Sequence, residues 1–173
     1  MSAAAAVERT CTLIKPDGVG KHLIGTIIER FEKAGLQLVG LKMLRLSRAD
    51  AERFYGEHKG QVFYGPLVQF MISAPIVAAI WQGPAAIKQA RALMGSTNSP
   101  EAQPGTLRKQ FGVDNRRNLV HGSDSSTSAE REIAFFFKPE ELYTYQDTDW
   151  DTDDLKGKDH GESKKTSHRI PTR

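Results

Sequence analysis

Asn118-Leu119-Val120-His121-Gly122-Ser123-Asp124-Ser125 runs directly into Ser126-Thr127-Ser128-Ala129-Glu130-Arg131-Glu132, and the rest of the chain is organised around this stretch. It opens as a short apolar strand end, turns at a glycine, crosses a cluster of helix-capping residues and continues as a helix. His121 stands at the turn, where its ring can face solvent or a ligand. An imidazole titrates near neutrality, so a useful fraction is neutral and nucleophilic without heavy tuning. Gly122 allows a tight turn and close approach of another group. Ser123, Asp124 and Ser125 are N-cap candidates, and Thr127 with Glu130 has the spacing of a capping box. A helix N-terminus beside the histidine offers backbone N–H groups to an anion. Glu132, further along the helix, can fold back onto one ring nitrogen and fix the tautomer. Of the five histidines, His121 is the candidate nucleophile or general base. The stretch alone fits a polar turn with a surface histidine equally well.

Working outward, 173 residues suffice for one domain with a sizeable core. The single cysteine, Cys11, excludes an internal disulfide and points to a reducing compartment. No apolar run approaches the length of a membrane span, and the alanine-rich start is too short and uncharged for a secretory signal. A soluble, cytoplasmic protein without a membrane partner is expected. A net charge of +3 does not by itself imply nucleic acid.

Residues 10–14 read as a strand ending in Lys15-Pro16-Asp17-Gly18. Pro16 and Gly18 predict a turn, which puts Lys15 at a solvated strand end. Gly18-Val19-Gly20-Lys21-His22 lacks the spacing and hydroxyl of a Walker A loop. Ile24, Ile27, Ile28 and Phe31 mark an amphipathic helix over 23–33, closed by Gly35. A strand over 37–46 follows, with Gly40 as a bulge or close-packing point. Ser47 caps a helix reaching Tyr55, and another spans 63–71 with Phe63 and Tyr64 at its mouth. Residues 75–81 predict a central strand buried on both faces. The next helix is expected over 84–94 with Pro84 in its first turn. The long irregular segment 95–117 carries Thr97, Arg108, Arg116 and Arg117, the makings of an anion-binding lid. Past Gln146 an acidic block and a mixed polar tail read as disordered.

Taken together, Lys15-Pro16-Asp17-Gly18, Phe63 after its loop, Arg91 to Thr97, Pro104-Gly105-Thr106-Leu107-Arg108 and Asn118 to Ser125 resemble the nucleoside diphosphate kinases. The similarity extends over roughly residues 8–145, between a frayed start at 1–7 and the tail at 146–173. The element order is compatible with a ferredoxin-like split βαβ sandwich, an α+β fold with an antiparallel four-stranded sheet and helices packed on it. Periodicity does not fix that topology; the resemblance implies it.

The resemblance also implies an enzyme that passes the γ-phosphate of a nucleoside triphosphate, mainly ATP, to a nucleoside diphosphate, maintaining ribo- and deoxyribonucleotide pools. His121 carries the phosphate in a ping-pong exchange, Glu132 orients it with help from Ser123, and Tyr55 stands near the transferred group. Lys15, Arg91, Thr97 and Arg108 hold phosphates, Asn118 with Lys15 contacts the sugar, and Phe63 stacks on the base. Mg²⁺ arrives on the nucleotide phosphates, with no protein cage. The family implies a homo-oligomer, hexamer or tetramer. Gln61 and Val62 replace the basic residue and proline that many members carry before the aromatic, and Asn115 replaces an apolar residue at the base. The residues alone leave open a nucleotide- or nucleic-acid-binding regulator using Arg108, Lys109, Arg116 and Arg117, although a binder needs no nucleophile. Nucleic acid is not the expected partner. A histidine phosphohydrolase would need a group to activate water, and none is evident.

Overall fold

The computed structural model describes residues 7–149. Residues 1–6 and 150–173, which include most of the expected tail, lie outside the described residues. The chain divides into one unit ending at Tyr143 and a second starting at Thr144. Of the second, the described part holds a turn closed by the Gln146 N–H on the Asp149 carboxylate, 2.7 Å.

The first unit is built on strand β1 (Val7–Ile14), which is followed by helices α1 (Pro16–Gly20) and α2 (Ile24–Lys33) and strand β2 (Gln37–Leu44). Helices α3 (Arg48–Phe54) and α4 (Tyr64–Met71) precede strand β3 (Ile76–Pro84) and helix α5 (Ala86–Met94). Helix α6 (Leu107–Phe111), strand β4 (Val120–Gly122) and helix α7 (Ser126–Phe136) complete it. The sheet order is β2-β3-β1-β4, and every neighbouring pair is antiparallel. This is the ferredoxin-like α+β arrangement.

Strand β3 is buried from Ile76 to Trp81, and the period of two along a strand sorts its side chains between two cores. Ala78 and Ile80 join Cys11, Leu13, Val39, Phe54, Met71 and Phe136 on one face. Val77, Ala79 and Trp81 face Ile27, Phe31, Ala90 and Met94 on the other. Phe31 stacks on Trp81 with ring centres 4.9 Å apart, an offset geometry that adds to the area buried. The expected bulge occurs between Leu38 and Gly40.

The structure departs from the local sequence pattern at four places. Pro16-Asp17-Gly18 is not a turn but the start of α1, with Pro16 in the first turn, where its missing N–H costs nothing. Gly18 serves packing: a Cβ there would lie 2.8 Å from Ile14 Cγ2 and 3.1 Å from the Leu119 carbonyl oxygen. Pro84 ends β3, paired with Val7, instead of opening the next helix. The cap of α7 is Ser125 with Ser128, not Thr127 with Glu130. Segment 95–117 is only partly irregular, since it holds α6, capped by the Thr106 side chain, and a 3-10 turn at Ser99–Glu101.

Candidate active site

His121 enters the site from β4, where it pairs with Leu13 of β1. Gly122 lets this short strand lie against α5, since a Cβ there would stand 2.7 Å from Met94 Sδ. The imidazole packs edge-on against Phe54 and Tyr55, with ring centres 5.3 Å and 6.1 Å away. Its Nε2 is 2.9 Å from Glu132 Oε2, and the Glu132 side chain is only 3% exposed. That same carboxylate oxygen accepts the Ser123 hydroxyl at 2.8 Å. Ser123 is in turn fixed by the Cys11 N–H, which donates to its Oγ at 3.2 Å. A carboxylate accepts, so Nε2 carries the proton and Nδ1 keeps the free lone pair; the tautomer is assigned from this network.

Facing the histidine, two cations, Lys15 and Arg108, are buried, and neither has a carboxylate partner at bonding distance among the described residues; Arg91 beside them is exposed. Lys15, expected at a solvated strand end, is instead buried. Its ammonium donates to Asn118 Oδ1 at 2.7 Å and to the Arg116 carbonyl at 3.3 Å. Burial, then the nearby Arg108 charge, bring its pKa down to about 7, against the opposing pull of Asp17 and Asp114. Arg108 is buried too, donating to the Gly95 and Val120 carbonyls at 2.8 Å each. Burial and Arg91 lower its pKa to about 10. Arg91 itself reaches the Gly122 carbonyl at 3.4 Å. Positive groups crowded where water is scarce raise one another's free energy, and an anion with several negative oxygens relieves that cost.

The other expected residues fall around the same space. Asn118 is buried, and its amide donates to the carbonyls of Thr97 and Asn115 at 2.9 Å each. It therefore ties Lys15 to the loop before β4. The Tyr55 hydroxyl is buried with no hydrogen-bond partner among the described residues, and burial, Glu132 and Cys11 push its ionisation up. Phe63 stands 52% exposed at the mouth. A cavity of about 460 Å³ is lined by Lys15, Tyr55, Phe63, Arg91, Thr97, Arg108, Asn118, His121 and Glu132, and Ser123 joins it through its bond to Glu132. That volume lies in the range of small-ligand sites.

Two contributors were not singled out from the sequence. His58 lines the cavity, its ring 5.5 Å from Phe63 and stacked over Tyr55 at 6.3 Å. Aromatic rings at positions 55, 58 and 63 around a polar loop were the available signal. Asp114 takes the N–H groups of Arg116 and Arg117 and the Arg117 guanidinium, which holds its carboxyl down at about 2. Asx capping of this kind is readable only once the loop is known to turn there. Among the described residues no three acidic, histidine or cysteine side chains are grouped to hold a metal. No described helix is long and apolar enough to cross a membrane.

The family model for nucleoside diphosphate kinase matches residues 8–142. A nucleoside diphosphate kinase of Carboxydothermus hydrogenoformans is 54% identical over 142 residues, 82% of this chain and 95% of that one. One from Thermosynechococcus vestitus is 53% identical over 140 residues, 81% of this chain and 93% of the relative. Among solved structures, the Aquifex aeolicus nucleoside diphosphate kinase superposes with a TM-score of 0.78 at 42% identity, covering 80% of this chain and all of the other. The halophilic enzyme of Halobacterium salinarum, solved in complex with CDP, gives 0.79 at 44% identity and covers 82% and 95%.

Proposed function

Since the chain belongs to the nucleoside diphosphate kinase family of phosphotransferases, we propose that it exchanges a γ-phosphoryl group between nucleotides in two displacements through His121. In the first, the Nδ1 lone pair attacks the γ-phosphorus in line. The N–P bond forms, the bridging P–O bond breaks, and the nucleoside diphosphate leaves with the electron pair. In the second, a terminal oxygen of the acceptor diphosphate attacks the phosphohistidine, and Nδ1 recovers its lone pair. Glu132 holds the Nε2 proton throughout, so the ring keeps one tautomer.

The observation that carries this reading is the pairing of an oriented imidazole with buried, carbonyl-bound cations on the wall of one cavity. Phosphoryl transfer asks the protein for position and charge, and these groups supply both. Lys15, Arg91 and Arg108 bind the phosphates with Thr97, and Asn118 holds Lys15 in place and reaches the sugar. Tyr55 offers its un-ionised hydroxyl to the transferred group. Phe63 stacks on the base without reading its edge, so bases are tolerated broadly. Mg²⁺ would be carried by the nucleotide phosphates, where it would neutralise charge; Asp124 is among the residues lining the cavity. A cytoplasmic homo-oligomer serving ribo- and deoxyribonucleotide pools completes the reading, with residues 8–145 as the kinase domain and 146–173 as an appended tail.

The test is intact mass after brief mixing with ATP and Mg²⁺ under mildly alkaline conditions. One added phosphoryl group, discharged by GDP, is expected. A folded, ATP-binding protein that never gains it would overturn the reading.

A pH dependence follows from Lys15. Its pKa is about 7 in the empty cavity, and a bound polyphosphate favours the ammonium. Above that pH the free protein has lost a proton that the complex retains, so binding takes one up and rising pH opposes it. Affinity for ADP should fall by up to about tenfold per pH unit between pH 7.5 and 9. Calorimetry in buffers of different ionisation heat should show uptake approaching one proton per site at pH 8.5. Pure pH independence would place Lys15 outside the phosphate contacts.

A further inference from the structure

Leu119 is a buried core residue with φ of +70°, in the left-handed region that a branched side chain resists. The Val120 N–H donates to the Asn118 carbonyl at 2.8 Å, closing a γ-turn of the rare positive-φ type centred on Leu119. This turn sits between Asn118, which holds the Lys15 ammonium, and His121. Strained backbone persists only where its surroundings over-determine it. Here both peptide groups of Leu119 are tied to one short segment. Its N–H donates to Asp17 Oδ2 at 3.1 Å, and its carbonyl accepts the Lys15 N–H at 2.8 Å. Gly18 permits the approach, because a Cβ there would press on the Leu119 carbonyl. The second Asp17 oxygen, Oδ1, is buried with no hydrogen-bond partner among the described residues. A carboxylate left half-satisfied in this way is costly and calls for a reason beyond packing.

We propose that Asp17 is a positioning residue: by accepting the Leu119 N–H it holds the strained turn that sets Asn118, and through it Lys15, in register with His121. The inference rests on the phosphohistidine reading above. Without the acceptor, Leu119 relaxes toward negative φ, and the displacement passes to Asn118 on one side and β4 on the other. Nucleotide still binds through the remaining cations. What is lost is alignment at the moment of transfer, which is a kcat effect.

The experiment compares Asp17→Ala and Asp17→Asn with the wild type in steady-state ATP-to-GDP exchange, with thermal melts alongside. Asp17→Ala should lower kcat by about 10–100-fold while both KM values stay within about threefold. Asp17→Asn keeps an oxygen for the Leu119 N–H and loses only the charge, so it should retain at least about one-third of the wild-type kcat. Less than a tenfold fall in the alanine variant would overturn the proposal. So would an asparagine variant below that third, because the carboxylate would then act by its charge on Lys15. Should the alanine variant fail to fold, the asparagine threshold decides alone. A wild type that never becomes phosphorylated would sink the phosphohistidine reading; a phosphorylated wild type matched by both variants would sink only the role of Asp17.

Discussion

Replacing His121 with alanine is expected to lower nucleotide exchange by at least about 10⁴-fold, to the limit of detection, because the covalent route has no substitute. In free-energy terms that is at least about 5.5 kcal/mol of barrier, at about 1.36 kcal/mol per decade. Groups that bind phosphate could in principle still align two nucleotides for direct transfer. A cavity of about 460 Å³ is of the size that takes one small ligand, so direct transfer between two nucleotides is not the expected route. Binding should survive, because the cations on the wall are untouched and their bonds run to backbone carbonyls and Asn118. ADP affinity within about threefold of wild type is the expected companion result. Stability should fall by only about 1–3 kcal/mol, because Glu132 loses one of its partners but keeps the Ser123 hydroxyl. Exchange rate, ADP titration and a thermal melt on the same preparation check all of this. Substantial residual turnover would mean that another group carries the phosphate.

The histidine and its carboxylate were legible because both signals are local. Ala129, Glu132 and Phe136 fall on the buried line of α7, so a glutamate stands where periodicity calls for an apolar residue. Glu132 follows His121 by 11 residues in one strand-turn-helix segment, so it can fold back onto the ring, and the resemblance supplied its role. Phe63 and the basic residues were legible as types that suit a nucleotide, and the family resemblance, not their spacing, brought them together. What the sequence could not show was burial created by distant chain. Lys15 looks solvated until Asn118, 103 positions away, closes over it. Arg108 resembles lid decoration until β4 places a carbonyl beneath it. Leu119 and Val120 are branched residues that read as ordinary strand, yet Asp17, 102 positions earlier, holds the first of them at positive φ. In each case tertiary contacts overrode a correct local preference.

Arg108→Ala should be damaging twice over, and the two effects can be separated. The guanidinium spans the Gly95 and Val120 carbonyls, one on the segment leaving α5 and one on the strand that carries His121. Truncation leaves two buried acceptors without donors, at about 1–3 kcal/mol each. Removing a cation that burial already disfavours, as its pKa of about 10 indicates, offsets part of that cost. A net loss of about 2–4 kcal/mol remains, which for a chain of this size is about 5–15 °C in melting temperature. Separately, on the proposed mechanism the bound phosphates lose a charged contact, and one such donor is worth about 10²–10³-fold in kcat. Assay well below the variant's melting temperature, at saturating nucleotide, isolates the second effect from the first. Arg108→Lys then tells charge from geometry. An ammonium restores one positive group but cannot span two carbonyls, because it lacks the planar fork. It should recover part of the rate and little of the stability. A lysine variant that melts with the wild type would show that the two carbonyl bonds contribute little, and that Arg108 acts on phosphate alone.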